Sequence, residues 1–480
     1  MALKLIIIGA GPGGYDAALK AASLGAEVTV IEKEGAGGTC LNWGCIPSKI
    51  MKHSADLMEK IAHGDAFGLS GGGGVTVNMK SLMARKQSVI ASQQKGIETL
   101  LARAGVTCLR GTGQITGKGH LTVSGEKEGT TELPWDNLII ATGTVPMPLS
   151  SFPFDGHRII SSNEVLSLTE IPESIAIVGG GVIGCEFACI LNALGARVTL
   201  IEAMHRILPL DALEDACSKI LTREMKKKKI TVLTHQTVTA IKTTATGAHI
   251  TLGPSPFAEN LKASEKAMTT KEVSQVAVCI GRSPNASALG LEHTGVTSDH
   301  RGWIQVNERM QTRDPAIYAI GDITGPERIM LAHVASAEGI VAAENIMGGS
   351  RDMDYRAIPN GIFTMPEVAC TGLTEKQARA QGMNIRTDSA LFRTLGKAQV
   401  MGEIAGQATL VSEVPSGRVV GVHMVGPHAT DLIAEGTLAV AKGLTVTDLV
   451  ETIHAHPTLS EIMMEAAMVA SDHAIHGSVT

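Results

Sequence analysis

The sequence predicts an α/β protein that contains one βαβ unit twice, followed by a smaller α+β region. KLIIIGAGPGGYDAALKAASLGAEVTVIE and SIAIVGGGVIGCEFACILNALGARVTLIE each read apolar strand, glycine turn, helix and second strand. In each copy GxGxxG follows the first strand, and a glutamate closes the second. Glu32 follows Gly9 by 23 positions, and Glu202 follows Gly179 by the same 23. This constant spacing predicts two Rossmann-like folds.

The glycines of each turn have the spacing of a dinucleotide site. The first permits a tight turn, the second lets the backbone approach a pyrophosphate, and the third lets the helix pack on the strand. The helix N-terminus then faces the phosphates. These residues are Gly9, Gly11 and Gly14 in the first copy and Gly179, Gly181 and Gly184 in the second.

The glutamate that ends each copy predicts which nucleotide is bound. Glu32 and Glu202 can accept hydrogen bonds from adenosine ribose hydroxyls. An acidic Glu202 would also repel a 2′-phosphate, which favours NAD over NADP at the second site. Arg206 follows four positions later and is expected to soften that preference.

Length and composition exclude several classes of protein. A chain of 480 residues predicts about three domains. With 44% hydrophobic residues, 18% charged residues and 53 glycines, it fits an α/β enzyme better than a disordered or fibrous chain. A net charge of −6 offers no basic surface for nucleic acid. The short apolar start runs directly into GAGPGG, so we expect a first strand rather than a signal peptide, and a cytoplasmic protein without a membrane span.

Two cysteines in GGTCLNWGCIPSK predict redox chemistry. On one regular helix Cys40 and Cys45 would be separated by about 7.5 Å of rise, which is too far for a disulfide. Gly44 tolerates an irregular backbone between them, and Pro47 suits the first turn of a helix that opens near Cys45. A helix start and the positive charge of Lys49 would both favour a thiolate. From the spacing alone, two ordinary thiols remain the alternative.

The other six cysteines are expected to be reduced. They are scattered along a large chain in which we expect no export signal. We expect four of them to be small buried apolar residues: Cys108, Cys217, Cys279 and Cys370. Cys185 and Cys189 lie four apart on a predicted helix, where packing is favoured over metal binding because no other ligands complete a site. No metal site is predicted.

Further strand and turn elements extend the repeat. LIIATGTVP follows the first copy and VAVCIGRSPN follows the second. In IYAIGD, Gly321 and Asp322 come after a short apolar strand. There the carboxylate is placed to bind a ribityl or ribose hydroxyl.

With GAGPGG, GGTCLNWGCIPSK, ATG, GGGVIGCE and AIGD in this order, the chain resembles the flavin-dependent pyridine nucleotide-disulfide oxidoreductases over nearly its whole length. RILPLD, MLAHVASAEG and HAHPTLSE are most similar to the dihydrolipoamide dehydrogenase branch of that family. The resemblance implies a glutathione-reductase-like fold with FAD, NAD and a homodimer. It places an FAD-binding domain at 1–148, an NAD-binding domain at 149–283, a central domain returning to FAD at 284–351 and a C-terminal dimerisation domain at 352–480.

The resemblance also implies which residues contact the cofactors. For NAD they are the three glycines of the second turn, Glu202 and Gly281. For FAD they are Gly9, Gly11, Gly14, Glu32, Gly38, Thr39, Lys49, Ala141, Thr142, Gly143, Asp322, Met330, Leu331, Ala332 and His333.

The catalytic residues are implied in the same way. Cys40 exchanges with the substrate and Cys45 faces the flavin. His456 is the acid-base residue, oriented by Glu461 as a carboxylate orients a catalytic histidine, and it acts from the opposite subunit. The remaining two, Lys49 and Glu186, are expected to form an ion pair beside the flavin and nicotinamide.

The implied reaction is oxidation of dihydrolipoamide, carried on another protein, with reduction of NAD⁺. The lipoyl protein could belong to a 2-oxoacid dehydrogenase, an acetoin dehydrogenase or a glycine cleavage system. The alternatives are an NAD(P)H-dependent reductase of another small disulfide and a flavoprotein that acts as an assembly subunit. Mercuric reductase and large thioredoxin reductase are disfavoured because no cysteine follows Cys370.

Two positions depart from the family pattern. Cys185 stands where the family usually has an aliphatic residue, and this departure leaves oxidant sensitivity near the nicotinamide an open question. Asp16 replaces a usually apolar residue in the first turn of its helix, where we expect it to lie close to the pyrophosphate.

Overall fold

The computed structural model describes residues 2–72, 74–125, 129–258 and 267–473. The strands of these residues, numbered in chain order, are β1 Lys4–Ile8, β2 Glu27–Glu32, β3 Thr107–Arg110, β4 Thr112–Gly117, β5 His120–Ser124, β6 Thr130–Pro134, β7 Asn137–Ile140, β8 Thr144–Pro146, β9 Ile159–Ile160, β10 Ser174–Val178, β11 Arg197–Ile201, β12 Thr231–Leu233, β13 Gln236–Thr243, β14 Ala248–Pro254, β15 Thr269–Val273, β16 Gln275–Val278, β17 Arg282–Pro284, β18 Ile317–Ala319, β19 Asn360–Ile362, β20 Glu367–Gly372, β21 Ile385–Leu391, β22 Gln407–Glu413 and β23 Val419–Gly426.

The α-helices alternate with these strands. They are α1 Pro12–Ser23, α2 Gly38–Trp43, α3 Cys45–Ala62, α4 Met79–Arg103, α5 Ser162–Val165, α6 Val182–Ala193, α7 Asp215–Lys227, α8 Ala332–Ile346, α9 Glu375–Ala380, α10 Gly396–Met401, α11 Ala429–Lys442, α12 Val446–Glu451 and α13 Glu461–Ala470. Short 3₁₀ turns lie at Gly64–Phe67, Leu291–His293, Gly321–Thr324 and Phe392–Thr394. Within the described ranges, every helix is too short or too polar to cross a membrane.

The first βαβ copy forms the centre of a five-stranded parallel sheet, in the order β18-β7-β1-β2-β3. Strands β1, β7 and β18 are mostly apolar because both faces of the sheet are buried there. Strand β18 and helix α8 come from the region after the second copy, and α8 packs along α1. Small residues allow this close approach, since a Cβ at Gly13 would lie 2.9 Å from the carbonyl oxygen of Ala335. The chain therefore returns to its first sheet.

The second copy forms a separate parallel sheet, in the order β12-β11-β10-β16-β9. Helix α6, between β10 and β11, is buried over most of its length and packs against α3. Strands β8 and β17, which follow equivalent elements of the two copies, pair antiparallel with each other. The two copies are thus joined where each one ends.

The C-terminal region contains an antiparallel sheet in the order β19-β20-β23-β22-β21. Helices α11 and α13 pack on it, and they bury an apolar core that includes Leu410, Met424 and Ile462. Two smaller antiparallel sheets, β4-β5-β6 and β13-β14-β15, complete the described strands. The α/β fold with two Rossmann-like units and an α+β C-terminal region is confirmed.

Candidate active site

The two cysteines of GGTCLNWGCIPSK lie on two different helices. Cys40 is in α2, Cys45 opens α3, and the chain breaks between them at Gly44, with φ −148° and ψ −110°. A Cβ at Gly44 would lie 3.0 Å from the carbonyl oxygen of Thr39. The break brings the thiols within hydrogen-bonding reach of each other. The irregular backbone expected from the spacing is therefore present.

The two thiols have opposite acidities. The hydrogen bond from Cys40 lowers the pKa of the Cys45 thiol to about 7; burial opposes this and the Lys49 ammonium assists it. The same hydrogen bond, reinforced by burial, raises the pKa of the Cys40 thiol. Cys45, at the start of a helix, is therefore the thiol of the pair that ionises first.

Lys49 and Glu186 form the predicted ion pair. The Lys49 ammonium donates to Oε1 and Oε2 of Glu186 at 3.0 and 2.9 Å. Glu186 lies on α6 and is only 6% exposed, so the pair forms between the second βαβ copy and the helix that begins at Cys45. A buried carboxylate is held here by the charge it faces.

One cavity of about 2080 Å³ contains both cysteines and both glycine turns. All the residues predicted to contact cofactors line it except Gly184. Gly184 instead lies against the turn, where a Cβ would overlap the carbonyl oxygen of Gly179. This is the packing role expected of a third glycine.

The first glycine turn fits a flavin dinucleotide. Gly9 has φ +107°, which favours glycine, and the nearest atom to a Cβ at Gly11 would be 3.9 Å away, so the turn is open to a pyrophosphate. In the same wall, the buried hydroxyl of Thr142 has no hydrogen-bond partner among the described residues. A buried donor without a partner suits a polar ligand.

The closing glutamates brace the glycine turns. Glu32 accepts hydrogen bonds from the backbone of Ala10 and Glu34, both at 2.8 Å. Glu202 accepts the equivalent bonds from Gly180 at 2.6 Å and Met204 at 2.7 Å. Both side chains also line the cavity, so contact with a ribose remains a prediction.

Arg206 is not in a position to contact a nucleotide beside Glu202, contrary to expectation. Its guanidinium donates to the carbonyl oxygens of Leu210 and Leu213 and pairs with Asp215 at 3.2 Å, and Arg206 does not line the cavity. The acidic character of Glu202 is therefore not offset by this cation.

Asp322 belongs to a chain of polar contacts across the cavity. Thr144 donates to Asp322 at 3.1 Å, while Arg282 donates to the hydroxyl of Thr144 at 2.6 Å and to its carbonyl at 2.8 Å. Burial raises the pKa of the Asp322 carboxyl, against the opposing effects of Arg282 and Thr144. These contacts join the β8–β17 ribbon to the turn after β18.

His456 and Glu461 form a pair that lies outside this cavity. Nδ1 of His456 is 2.9 Å from Oε1 of Glu461, whose other oxygen accepts from the backbone of Thr458 at 2.9 Å. Burial would raise the pKa of Glu461, but the Thr458 N–H and the imidazole lower it overall. The imidazole is 74% exposed, so it is free to face another molecule.

Three other expectations need correction. Cys108 is exposed because it lies on the edge strand β3, and Cys279 is half-buried in the cavity wall. Asp16 hydrogen-bonds Ser336 on α8 and does not line the cavity. The packing expected of Cys185 is confirmed, because this residue is fully buried and donates to the carbonyl oxygen of Gly180, and burial raises the pKa of its thiol.

Sequence reasoning did not single out three residues that contribute to the site: Thr144, Arg282 and Phe363. The positions of Thr144 and Arg282, after equivalent strands of the two copies, offered a signal for their pairing. Phe363 offered none, because it comes from the C-terminal region and only the fold brings it to Lys49.

Comparison with known proteins identifies the family. Residues 3–339 match the pyridine nucleotide-disulphide oxidoreductase model, and residues 358–467 match the dimerisation domain of the same family. A dihydrolipoyl dehydrogenase of Chlamydia pneumoniae is 40% identical over 471 residues, 98% of this chain and 97% of that protein. One of Bacillus subtilis is 40% identical over 98% of each chain.

A solved structure agrees with these sequence matches. The crystal structure of LpdA from Mycobacterium tuberculosis superposes with a TM-score of 0.88 at 28% identity, and covers 97% of this chain and 99% of that one. The chain belongs to the pyridine nucleotide-disulphide oxidoreductase family.

Proposed function

We propose that this member of the pyridine nucleotide-disulphide oxidoreductase family is a dihydrolipoyl dehydrogenase that uses FAD and NAD. It oxidises protein-bound dihydrolipoamide to lipoamide and reduces NAD⁺. The observation that carries the proposal is the Cys40–Cys45 pair, which opens into the same cavity as two glycine turns. Relatives at 40% identity over almost the whole chain bear that name.

The first glycine turn, with Thr142 and Asp322, would hold FAD, and the second, with Glu202, would hold NAD. FAD, when bound, supplies two-electron transfer between the dithiol and NAD⁺. Lys49 stabilises the Cys45 thiolate, and Glu186 keeps the ammonium in place. The domain limits given above (1–148, 149–283, 284–351 and 352–480) are part of this proposal.

The proton chemistry belongs to His456. A carboxylate at Nδ1 selects the tautomer with its proton on Nδ1, which leaves Nε2 as the base. A free thiol with pKa near 8.5 is only about 3% ionised at pH 7, so such a base contributes on the order of 10²- to 10⁴-fold. Because His456 does not line the cavity of its own chain, we place it at the site of the partner subunit in a homodimer.

The substrate is oxidised in two successive thiol–disulfide exchanges. Nε2 of His456 takes a proton from one substrate thiol, and the thiolate attacks Sγ of Cys40 in the oxidised pair. The Cys40–Cys45 bond breaks, and Cys45 leaves as a thiolate. The second substrate sulfur then displaces Cys40 from the mixed disulfide and releases lipoamide, and its proton passes to the departing Cys40 sulfur, which leaves as a thiol. Both electrons now reside in the reduced pair.

One assay tests the substrate. Purified, FAD-replete protein should reduce NAD⁺ with dihydrolipoamide and should not oxidise NADPH with glutathione disulfide. The burial of Arg206 away from the cavity supports the preference for NAD. Turnover of glutathione disulfide with NADPH, together with no reaction of dihydrolipoamide, would overturn the proposal.

The role of His456 is tested with a neighbouring histidine as control. His456→Gln should lose most dihydrolipoamide turnover while it retains flavin and dimer. His454→Gln removes an imidazole that is bonded to Glu435 at 2.9 Å in the same segment, and it should retain far more activity. Equal turnover of the two variants would remove His456 from the mechanism.

The partner that delivers lipoamide is proposed only as a class. It is a lipoyl-bearing protein of a 2-oxoacid dehydrogenase, an acetoin dehydrogenase or a glycine cleavage system, and we place the enzyme with it in the cytoplasm. Reduction of NAD⁺ with lipoyl domains of each system, compared at equal concentration, would identify the partner by its lowest KM.

A further inference from the structure

Phe363 covers the ion pair that faces the two cysteines. It follows strand β19 in the C-terminal region, is half-buried and lies in the wall of the cavity. The Lys49 ammonium is 4.2 Å from the centroid of its ring. At this distance a cation is attracted to the negative face of the aromatic ring.

The backbone of Phe363 is bonded to the same ion pair. Its N–H donates to Oε1 of Glu186 at 2.9 Å, and Glu186 also accepts from Lys49 through both oxygens. Three separate parts of the chain, α3, α6 and the segment after β19, therefore meet at one ammonium group. The ammonium is thus in contact with both the carboxylate and the ring.

The position of Lys49 matters because of the thiol it faces. The charged and titratable groups that act on Cys45 are Cys40, Lys49, Glu186 and Arg282. The Lys49 charge favours the thiolate, whereas the Glu186 charge opposes it. The net effect of these two charges on the thiolate depends on how close the Lys49 ammonium stays to the sulfur of Cys45.

We propose that Phe363 is a positioning residue for the redox pair: its ring holds the Lys49 ammonium where that charge stabilises the Cys45 thiolate. The inference rests on the proposed function, in which Cys45 is the thiol that faces the flavin. Phe363 touches neither thiol in this role and acts through Lys49.

The side chain of Lys49 is 29% exposed, so it has room to turn into the cavity when the ring is removed. Leucine at position 363 would keep an apolar side chain and the N–H bond to Glu186, but it has no aromatic face. Tyrosine would keep the face. Comparison of the two replacements therefore separates the effect of the aromatic face from the effects of apolar packing and of the backbone hydrogen bond.

The test uses FAD-replete enzyme carrying Cys40→Ser, in which Cys45 is the single thiol of the pair. A thiolate facing oxidised flavin gives a long-wavelength absorption band, and titration of that band with pH reports the ionisation of Cys45. Phe363→Leu should move the midpoint upward by about half a pH unit, because the ammonium released from the ring moves away from the Cys45 thiolate. Phe363→Tyr should leave the midpoint unchanged.

Phe257→Leu is the matched control, because Phe257 also lines the cavity and is 71% exposed, and no cation of the described part of the chain lies over its ring. It should not move the midpoint.

If Phe363→Leu titrates like its parent, or if Phe363→Tyr shifts as far as Phe363→Leu, the inference is wrong. Should Phe363→Leu fail to fold, Phe363→Met replaces it, with the same expected shift. Absence of the band in the Cys40→Ser parent would instead refute the proposed role of Cys45.

Discussion

The two βαβ copies have nearly the same turn and different neighbours. Their first glycines have φ +107° and +106°, and a Cβ on the third glycine of either copy would overlap the carbonyl oxygen of the first. Each closing glutamate accepts two backbone N–H groups. The backbone around a dinucleotide turn is therefore set locally, because the same residues recur at the same spacing.

What differs is the helix packed against each copy. Under the offset of the repeat, Asp16 of α1 is equivalent to Glu186 of α6. Asp16 bonds Ser336 on α8, whereas Glu186 pairs with Lys49 on α3. An acid at the same position of a duplicated unit thus contacts a neighbouring helix in one copy and pairs with Lys49, on the helix that begins at Cys45, in the other.

The largest expected effect comes from substituting the third glycine of each turn, and it should differ between the two copies. Gly14→Ala and Gly184→Ala should each destabilise the protein by about 1–3 kcal/mol or more, because the new methyl group overlaps a backbone oxygen. Gly14→Ala should also lose FAD, whereas Gly184→Ala should retain FAD and raise the KM for NAD⁺. Flavin content and thermal unfolding check this.

Gly96→Ala serves as the control for these glycines. It lies on α4 with nothing within 4 Å of an added Cβ, so alanine should stabilise the helix. If Gly14→Ala bound FAD and unfolded like Gly96→Ala, the packing role of the third glycine would be wrong.

Removing the negative charge of Glu186 should mainly affect catalysis. Glu186→Gln takes away the carboxylate that holds Lys49, a charged hydrogen bond of about 1.5–3 kcal/mol. Turnover should fall about 10- to 100-fold. Steady-state NAD⁺ reduction by dihydrolipoamide measures the loss, and a change smaller than twofold would contradict it.

Substitution of the closing glutamates, Glu32 and Glu202, should have smaller effects that are similar in size in the two copies. Glu32→Gln and Glu202→Gln each replace charged acceptors of two backbone N–H groups, at a cost of about 1–2 kcal/mol. Glu32→Gln should weaken FAD retention, and Glu202→Gln should raise the KM for NAD⁺ with FAD retained. Nicotinamide kinetics and flavin release on dilution distinguish the two, and exchanged phenotypes would reverse the assignment of the cofactors.

The smallest effect is expected at Asp16. Burial raises the pKa of its carboxyl, opposed by Ser336, so its contribution to stability is present at low pH and is lost as pH rises through the raised pKa. Asp16→Asn should therefore leave the midpoint of thermal unfolding at pH 7 unchanged or slightly higher. A clear loss of stability at pH 7 would show that the carboxylate is needed there.

Much of the site was predictable because its geometry depends on short spacings. The break at Gly44, the contact of His456 with Glu461 and the ion pair of Lys49 with Glu186 are all confirmed in the structure. The first two involve neighbours in the chain. The ion pair was predicted only through resemblance to a family, since 137 positions separate its members.

The incorrect expectations concern the direction in which a side chain points. Arg206 and Asp16 lie close in sequence to nucleotide-binding turns, but each is held by polar groups elsewhere. Cys108 reads as one apolar residue among others, yet its strand is at the edge of the sheet. Spacing along a chain does not say which face a neighbouring element covers.

The sequence by itself determined the duplicated turns, the cysteine pair and the order of the elements, because these follow from residue types at short spacing. Only the tertiary structure decided that α6, α3 and the segment after β19 meet at Lys49. The physical reason is that Glu186 and Phe363 act on Lys49 through contacts of about 3 to 4 Å, and packing alone creates such contacts between distant parts of a chain.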